Sequence, residues 1–274
     1  SSKSIVPSWV SKDTLIIAFS HSGNTIEILD AVDILLKKGY RIIAVTAGGR
    51  LKEKALSDNK IKLIEYDAPD FPRMATGYAY VILIELLSMA NILSVKGIKK
   101  DKPLDEKWND VIEALNKINS EVSPSVRIHD NFAKTTAMHL YEKIPVIYGC
   151  NKITEVVSYR LKVQICTVAK TLAHNNTIPE INHDEIVAWE MKRELREKFF
   201  VIFVRDVDEV LETSKRIEIL KGIFLEKKVH YEEIFLEGEN EVVKCFKGIC
   251  LADWISFYLA LLNCVEPSAI YLVN

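Results

Sequence analysis

Apolar and polar positions along this chain follow two periods. Short apolar runs at Thr14 to Phe19, Arg41 to Thr46, Ile61 to Tyr66, Ile144 to Gly149, Phe199 to Val204 and Val229 to Leu236 are bounded by turn residues and predict strands. Between them lie stretches of helical period: Thr25 to Lys38, Asp105 to Val122 with apolar Trp108, Val111, Ile112, Leu115 and Ile118, Asn131 to Lys143, Val207 to Lys227, and Glu239 to about Cys264. Apolar β segments separated by helices pair in parallel through right-handed crossovers, so the pattern predicts an α/β fold of two doubly wound αβα domains. A break at Ser123-Pro124-Ser125 divides them into 1–124 and 125–274. Thr76 to Leu93 is the most apolar stretch, but Glu85 and Ser88 interrupt it, which predicts a buried helix rather than a membrane span.

The first strand breaks into Ser20-His21-Ser22-Gly23-Asn24-Thr25 before a helix opens. Gly23 allows a tight turn, and the first backbone N–H groups of the helix point at whatever lies above it. With the positive end of the helix dipole and the hydroxyls of Ser20, Ser22 and Thr25, this arrangement predicts a phosphate site at the carboxyl end of a parallel strand. Two other readings stay open: Ser22 or Asn24 as a simple helix cap, and the phosphate loop of a flavodoxin. The long second half of the chain, with its own strand and helix grammar, speaks against a flavodoxin. Ile144 to Arg160 repeats the strand, turn and helix order of Thr14 to Asp30 with little sequence agreement.

Composition narrows the partners. The 274 residues suit two domains of ordinary size, and 49% hydrophobic content can fill two cores. A formal net charge of -2, from 36 basic and 38 acidic residues, predicts neither a nucleic-acid partner nor a membrane surface partner. Cys150, Cys166, Cys245, Cys250 and Cys264 lack the paired spacing of a zinc site and read as reduced thiols; Cys166 and Cys264, among apolar neighbours, read as core residues. The opening residues carry no apolar signal-peptide core, so the expected location is cytoplasmic.

Pro7-Ser8-Trp9-Val10, the Ser20 to Thr25 turn, Thr46-Ala47-Gly48-Gly49, Pro72-Arg73 with Gly77-Tyr78, Ile178 to Ile186 and Asp253 to Ala260 occur in an order that resembles the archaeal-type bifunctional phosphoglucose/phosphomannose isomerases, proteins of two sugar isomerase (SIS) domains. The resemblance implies interconversion of glucose 6-phosphate and mannose 6-phosphate with fructose 6-phosphate through a cis-enediol, with no metal or nucleotide cofactor, in a homodimer. It places the substrate phosphate on Ser20, Ser22 and Thr25. It makes Arg73 the cation beside the reacting carbons, and His183 the group that assists ring opening across the dimer interface. Both types suit those tasks, a guanidinium as a fixed charge against an enediolate oxygen and an imidazole as a proton donor and acceptor near neutrality. Ser268 falls where a family hydroxyl assists rotation of the intermediate.

The chain departs from the family pattern at the proton-shuttling glutamate, whose position is Thr167 in Gln164-Ile165-Cys166-Thr167-Val168-Ala169-Lys170. A threonine hydroxyl is not ionised near neutrality. Glu180 and Glu185 lie close to His183 and are the carboxylates available to replace it. Against the family, an amino-terminal strand with a glycine-glycine-serine loop and a lysine beyond Asn274 are not in the stretch 1–274. Two functions are therefore expected: a hexose-phosphate isomerase, or a sugar-phosphate-binding SIS protein with lost or reduced catalysis. A third, an etherase or deglycase of amino-sugar phosphates, has no motif of its own here.

Overall fold

Ile17–Ser20 (β1), Ile42–Thr46 (β2) and Ile61–Glu65 (β3) pair in that order as parallel strands, with Ser20 opposite Thr46 at the carboxyl edge. The computed structural model describes residues 6–67, 69, 71–93, 108–150 and 152–269. Ile26–Lys37 (α1) places Leu29, Val32 and Leu35 on one face, and these pack with Leu51 and Ala55 of Gly49–Ser57 (α2) against Ala18, Ile42, Ala44 and Ile61. Thr76–Met89 (α3) lies on the other face, where Ile82 and Leu86 meet Val45, Tyr66 and Ala75. The result is the expected αβα layering. The helix expected at Thr76 to Leu93 forms but is half-buried, with no fully buried residue. A three-stranded sheet is too narrow to surround a helix that is apolar on all sides.

The second sheet has Ile144–Gly149 (β4), His174–Thr177 (β5), Phe199–Asp206 (β6) and Tyr231–Leu236 (β7) in the parallel order β5-β4-β6-β7. Alternate residues of β6 serve two cores. Phe200, Ile202 and Val204 pack with Ala133, Ala137 and Leu140 of Phe132–Leu140 (α5), Val157, Leu161 and Ile165 of Lys152–Thr167 (α6), and Ile255 and Leu259 of Glu241–Leu262 (α9). Val201 and Phe203 pack with Ile217, Leu220 and Phe224 of Leu211–Lys227 (α8) and with Ile181 and Trp189 of the short turns Glu180–Asn182 and Ile186–Glu190. A four-residue helix, Arg193–Arg196 (α7), precedes β6.

Asn109–Val122 (α4) belongs with this second sheet: Trp254 donates to Asn119 at 2.7 Å and the Tyr258 hydroxyl donates to the Val122 carbonyl at 2.6 Å. The two compact units accordingly divide at 95/96, Ser1–Val95 and Lys96–Asn274, ahead of the break at 124/125. The start of the helix expected from Asp105 falls outside the described residues. Strand β5 was not expected, because His174-Asn175-Asn176-Thr177 carries no apolar run; its partner edge on β4 decides its pairing. By length and hydropathy α9 is able to cross a membrane, but Leu251, Ile255 and Leu259 are buried against the second core. All five cysteines are free. Cys264 is exposed rather than a core residue, because the chain turns out of α9 with a positive φ of 54° at that position.

Candidate active site

The Ser20 to Thr25 turn is built by two interlocked loops. Gly23 has φ 66°, and a Cβ there would lie 1.8 Å from the Gly48 carbonyl oxygen, so only glycine fits. Gly49, at φ 68°, approaches the Ser22 carbonyl as closely, and a Cβ there would lie at 2.2 Å. The opening N–H groups of α2 are used within this junction: Arg50 donates to Asn24 Oδ1 at 3.2 Å and Leu51 donates to the Gly23 carbonyl at 2.9 Å. The start of α1 is treated differently. Thr25 occupies the cap position but makes no capping hydrogen bond, and its hydroxyl lies 2.9 Å from Ser20 Oγ. The cap position thus falls on Thr25 rather than on Ser22 or Asn24, and the Thr25 hydroxyl stands with that of Ser20 at the amino end of α1.

Ser20, Ser22 and Thr25 differ in what they have left to offer. Ser20 is 4% exposed and accepts from Gly23 N–H at 3.1 Å, so it braces the turn from within. Ser22 and Thr25 are exposed, and Ser22 accepts from Asn24 N–H at 3.2 Å while keeping its own proton for a ligand. Thr46, which the sequence offered only as part of the run Thr46 to Gly49 and with no role of its own, has a fully buried hydroxyl that donates to the Gly48 carbonyl at 2.9 Å and accepts from Gly48 N–H at 3.2 Å, bracing the second loop. Its adjacency to Ser20 comes from strand register. Arg73 lies in the short turn Pro72–Met74, which leaves the carboxyl end of the same sheet after β3, with its guanidinium 4.4 Å above the Phe71 ring.

The remaining candidates belong to the second unit. Thr167 is the last residue of α6, half-buried, and its hydroxyl donates to the Val163 carbonyl at 2.8 Å. One turn earlier, Gln164 donates to Asp253 at 2.7 Å, and Arg160 holds the same carboxylate from Nη2 at 2.9 and 3.1 Å. Ser268 is bonded to Glu266, which accepts from its backbone N–H at 3.0 Å and from its hydroxyl. These hydrogen bonds hold the Glu266 carboxyl below its ordinary value. The turn around Ser20 and the Thr167, His183 and Ser268 group are thus placed by different units.

His183 is exposed, and its backbone N–H closes the turn that begins at Glu180. Two residues on, Glu185 is fixed. Its Oε1 lies 2.7 Å from His174 Nε2 and accepts from Asn176 at 2.6 Å, while its Oε2 accepts from the Tyr148 hydroxyl at 2.8 Å. Burial, and then the Glu185 charge, push the fully buried Tyr148 phenol well above its ordinary value, so it remains a neutral donor. Of the two carboxylates beside His183, Glu185 therefore acts as a clamp that holds the 180–190 segment on β4 and β5. Glu185→Ala removes the acceptor of the buried Tyr148 hydroxyl, which keeps only the Trp189 donor among the described residues, and is expected to lower unfolding stability by about 1–3 kcal/mol. Urea denaturation with the parent midpoint would remove that role.

Parallel sheets in two units, with a hydroxyl-rich turn at the carboxyl edge of the first, define an α/β protein of the SIS class. Residues 129–274 match the bacterial phospho-glucose isomerase C-terminal SIS domain family. A bifunctional phosphoglucose/phosphomannose isomerase from Caldicellulosiruptor bescii is 32% identical over 266 residues, covering 97% of this chain and 76% of that protein. One from Thermoplasma acidophilum is 29% identical, covering 96% of this chain and 74% of that protein. The solved glucose-6-phosphate isomerase like protein from Thermus thermophilus shares the fold with a TM-score of 0.65 at 18% identity, over 96% of this chain and 79% of that one. The chain belongs to the bifunctional phosphoglucose/phosphomannose isomerase family.

Proposed function

We propose that this chain is a hexose-phosphate aldose-ketose isomerase, interconverting glucose 6-phosphate or mannose 6-phosphate with fructose 6-phosphate. The observation that carries the reading is the 32% identity to a bifunctional isomerase along nearly the whole chain. The turn at Ser20 to Thr25 supports it locally, since Ser22 and Thr25 expose hydroxyls beside the uncapped end of α1. In this reading the phosphate sits on that turn, and His183 moves the proton that opens the sugar ring. A base then takes the C2 proton of the aldose, electrons shift to give the cis-enediol, and the proton returns to C1. Arg73 supplies positive charge where the enediolate oxygen develops.

The base is the weak point. Thr167 stands at the family's glutamate position with its hydroxyl turned back to the Val163 carbonyl, which favours a second reading in which the chain binds hexose 6-phosphate and turns it over slowly. A coupled assay of fructose 6-phosphate conversion tests the proposal, and conversion to both aldose phosphates is the expected result. Binding of fructose 6-phosphate with no turnover would leave the second reading in its place.

The proposed assembly is a homodimer in which His183 of one chain completes the site of the other, supported by the exposure of its ring and by family membership. Sedimentation at assay concentration is expected to give the mass of two chains. A single-chain mass with full activity would overturn this arrangement. The proposed location is the cytoplasm, where the phosphorylated hexoses of central metabolism are found.

A further inference from the structure

The Ser20 to Thr25 turn carries an imidazole, His21, among its hydroxyls. We propose that His21 contacts the ligand, donating its Nε2–H to the phosphoryl group of a sugar phosphate while Tyr66 holds the other ring nitrogen. The inference rests on the reading of Ser20 to Thr25 as the phosphate site and adds to it a donor able to carry charge.

The geometry assigns separate roles to the two ring nitrogens. His21 lies between Ser20 and Ser22, and its carbonyl accepts from Ala47 N–H at 3.2 Å, which fixes its backbone at the junction of the two loops. Its Nδ1 lies 3.1 Å from the Tyr66 hydroxyl. Tyr66 follows β3 at the same carboxyl edge, 9% exposed, with Phe19 at 6.1 Å and Tyr78 stacked on it at 5.5 Å between ring centroids. A phenol held on two sides by rings does not swing away, so it selects the orientation of the imidazole.

The phenol is taken as the donor of that hydrogen bond and Nδ1 as its acceptor. Burial holds the Tyr66 phenol above its ordinary value, and it keeps its proton. When that proton is donated to Nδ1, the proton of a neutral imidazole is on Nε2. The His21 ring is partly exposed, and its Nε2 has no hydrogen-bond partner among the described residues. A phosphate dianion on the Ser22 and Thr25 hydroxyls would thus meet a donor on the same turn, pre-oriented from a strand distant in sequence.

Titration calorimetry on the full chain tests this, with fructose 6-phosphate and inorganic phosphate as separate ligands. His21→Phe keeps an aromatic ring against Tyr66 and removes both nitrogens, and is expected to weaken both ligands about ten- to a hundredfold. His21→Gln retains an amide donor and is expected to bind more tightly than His21→Phe. Tyr66→Phe is expected to leave the fold intact, to weaken both ligands by a smaller factor, and to shift the imidazole ¹⁵N resonances of His21 away from the Nε2–H tautomer. A purely structural role for Tyr66 would leave those resonances unmoved.

If His21→Phe binds both ligands as the parent does while the Ser22→Ala, Thr25→Ala double variant is weakened, the His21 contact is wrong and the phosphate turn stands. If the double variant also binds as the parent does, the phosphate lies elsewhere and both readings fail. Weakening of fructose 6-phosphate alone would move the contact from the phosphoryl group to the sugar and overturn the assignment. A parent chain that binds neither ligand overturns it as well.

Discussion

Thr167→Glu is expected to raise turnover of fructose 6-phosphate by about 10²–10⁴-fold over the unmodified chain, the range that general acid-base catalysis contributes. The reaction moves a proton between adjacent carbons and needs a group that is ionised near neutrality. Thr167 holds its proton too tightly, and its hydroxyl is already committed to the Val163 carbonyl at 2.8 Å. A glutamate at the same helical position restores a carboxylate without touching Ser22, Thr25 or His183. The site is half-buried, so desolvation raises the pKa of the new carboxyl, and the gain is largest in the upper part of the pH range, where that group is ionised. Comparison of kcat and KM separates this effect from binding: a restored base raises kcat and leaves KM close to the parent value. Fast isomerisation by the unmodified chain, insensitive to Thr167→Ala and abolished by Glu180→Gln or Glu185→Gln, would show that another carboxylate performs the transfer.

Simultaneous Ser22→Ala and Thr25→Ala is expected to weaken fructose 6-phosphate binding by about 10²–10⁴-fold. Each hydrogen bond to a charged group contributes ~1.5–3 kcal/mol, and ~1.4 kcal/mol corresponds to a tenfold change in affinity. The two hydroxyls share one ligand and one turn, so the lower part of that range is expected where their effects overlap. Both side chains are exposed, which keeps the cost to folding small. Ser20→Ala is the informative contrast. Its hydroxyl is buried, accepts from Gly23 and meets Thr25, so its loss is expected to appear in thermal stability as well as in affinity. Equal affinity of the double variant and the parent, measured by calorimetry, would place the ligand elsewhere.

Local pattern determined a large part of this protein. Each apolar run that predicted a strand contains one, and those at β4 and β6 are buried along most of their length, where a strand covered on both faces must be apolar throughout. Gly23 announced a tight turn, because the requirement for a positive φ acts at a single residue. The departure at Thr167 is read from the family pattern, which sets a glutamate there, and not from local periodicity.

Tertiary structure alone decided what depends on partners remote in sequence. Strand β5 is polar and forms because the edge of β4 offers it hydrogen bonds. Thr25 stands at a cap position without capping, because the buried Ser20 hydroxyl claims it. Helix α4 joins the second unit because Asn119 and Val122 bond to Trp254 and Tyr258 on α9, contacts that no local pattern encodes. Glu185 was one of two equivalent carboxylates beside His183 until folding brought Tyr148, His174 and Asn176 to it. His21 borders the turn in the sequence itself, but the Tyr66 hydroxyl 3.1 Å from its Nδ1 arrives from beyond β3, a contact no local pattern encodes. Periodicity records which face of an element is buried; which side chains meet across the fold is set by strand order and register, which one stretch of chain does not carry.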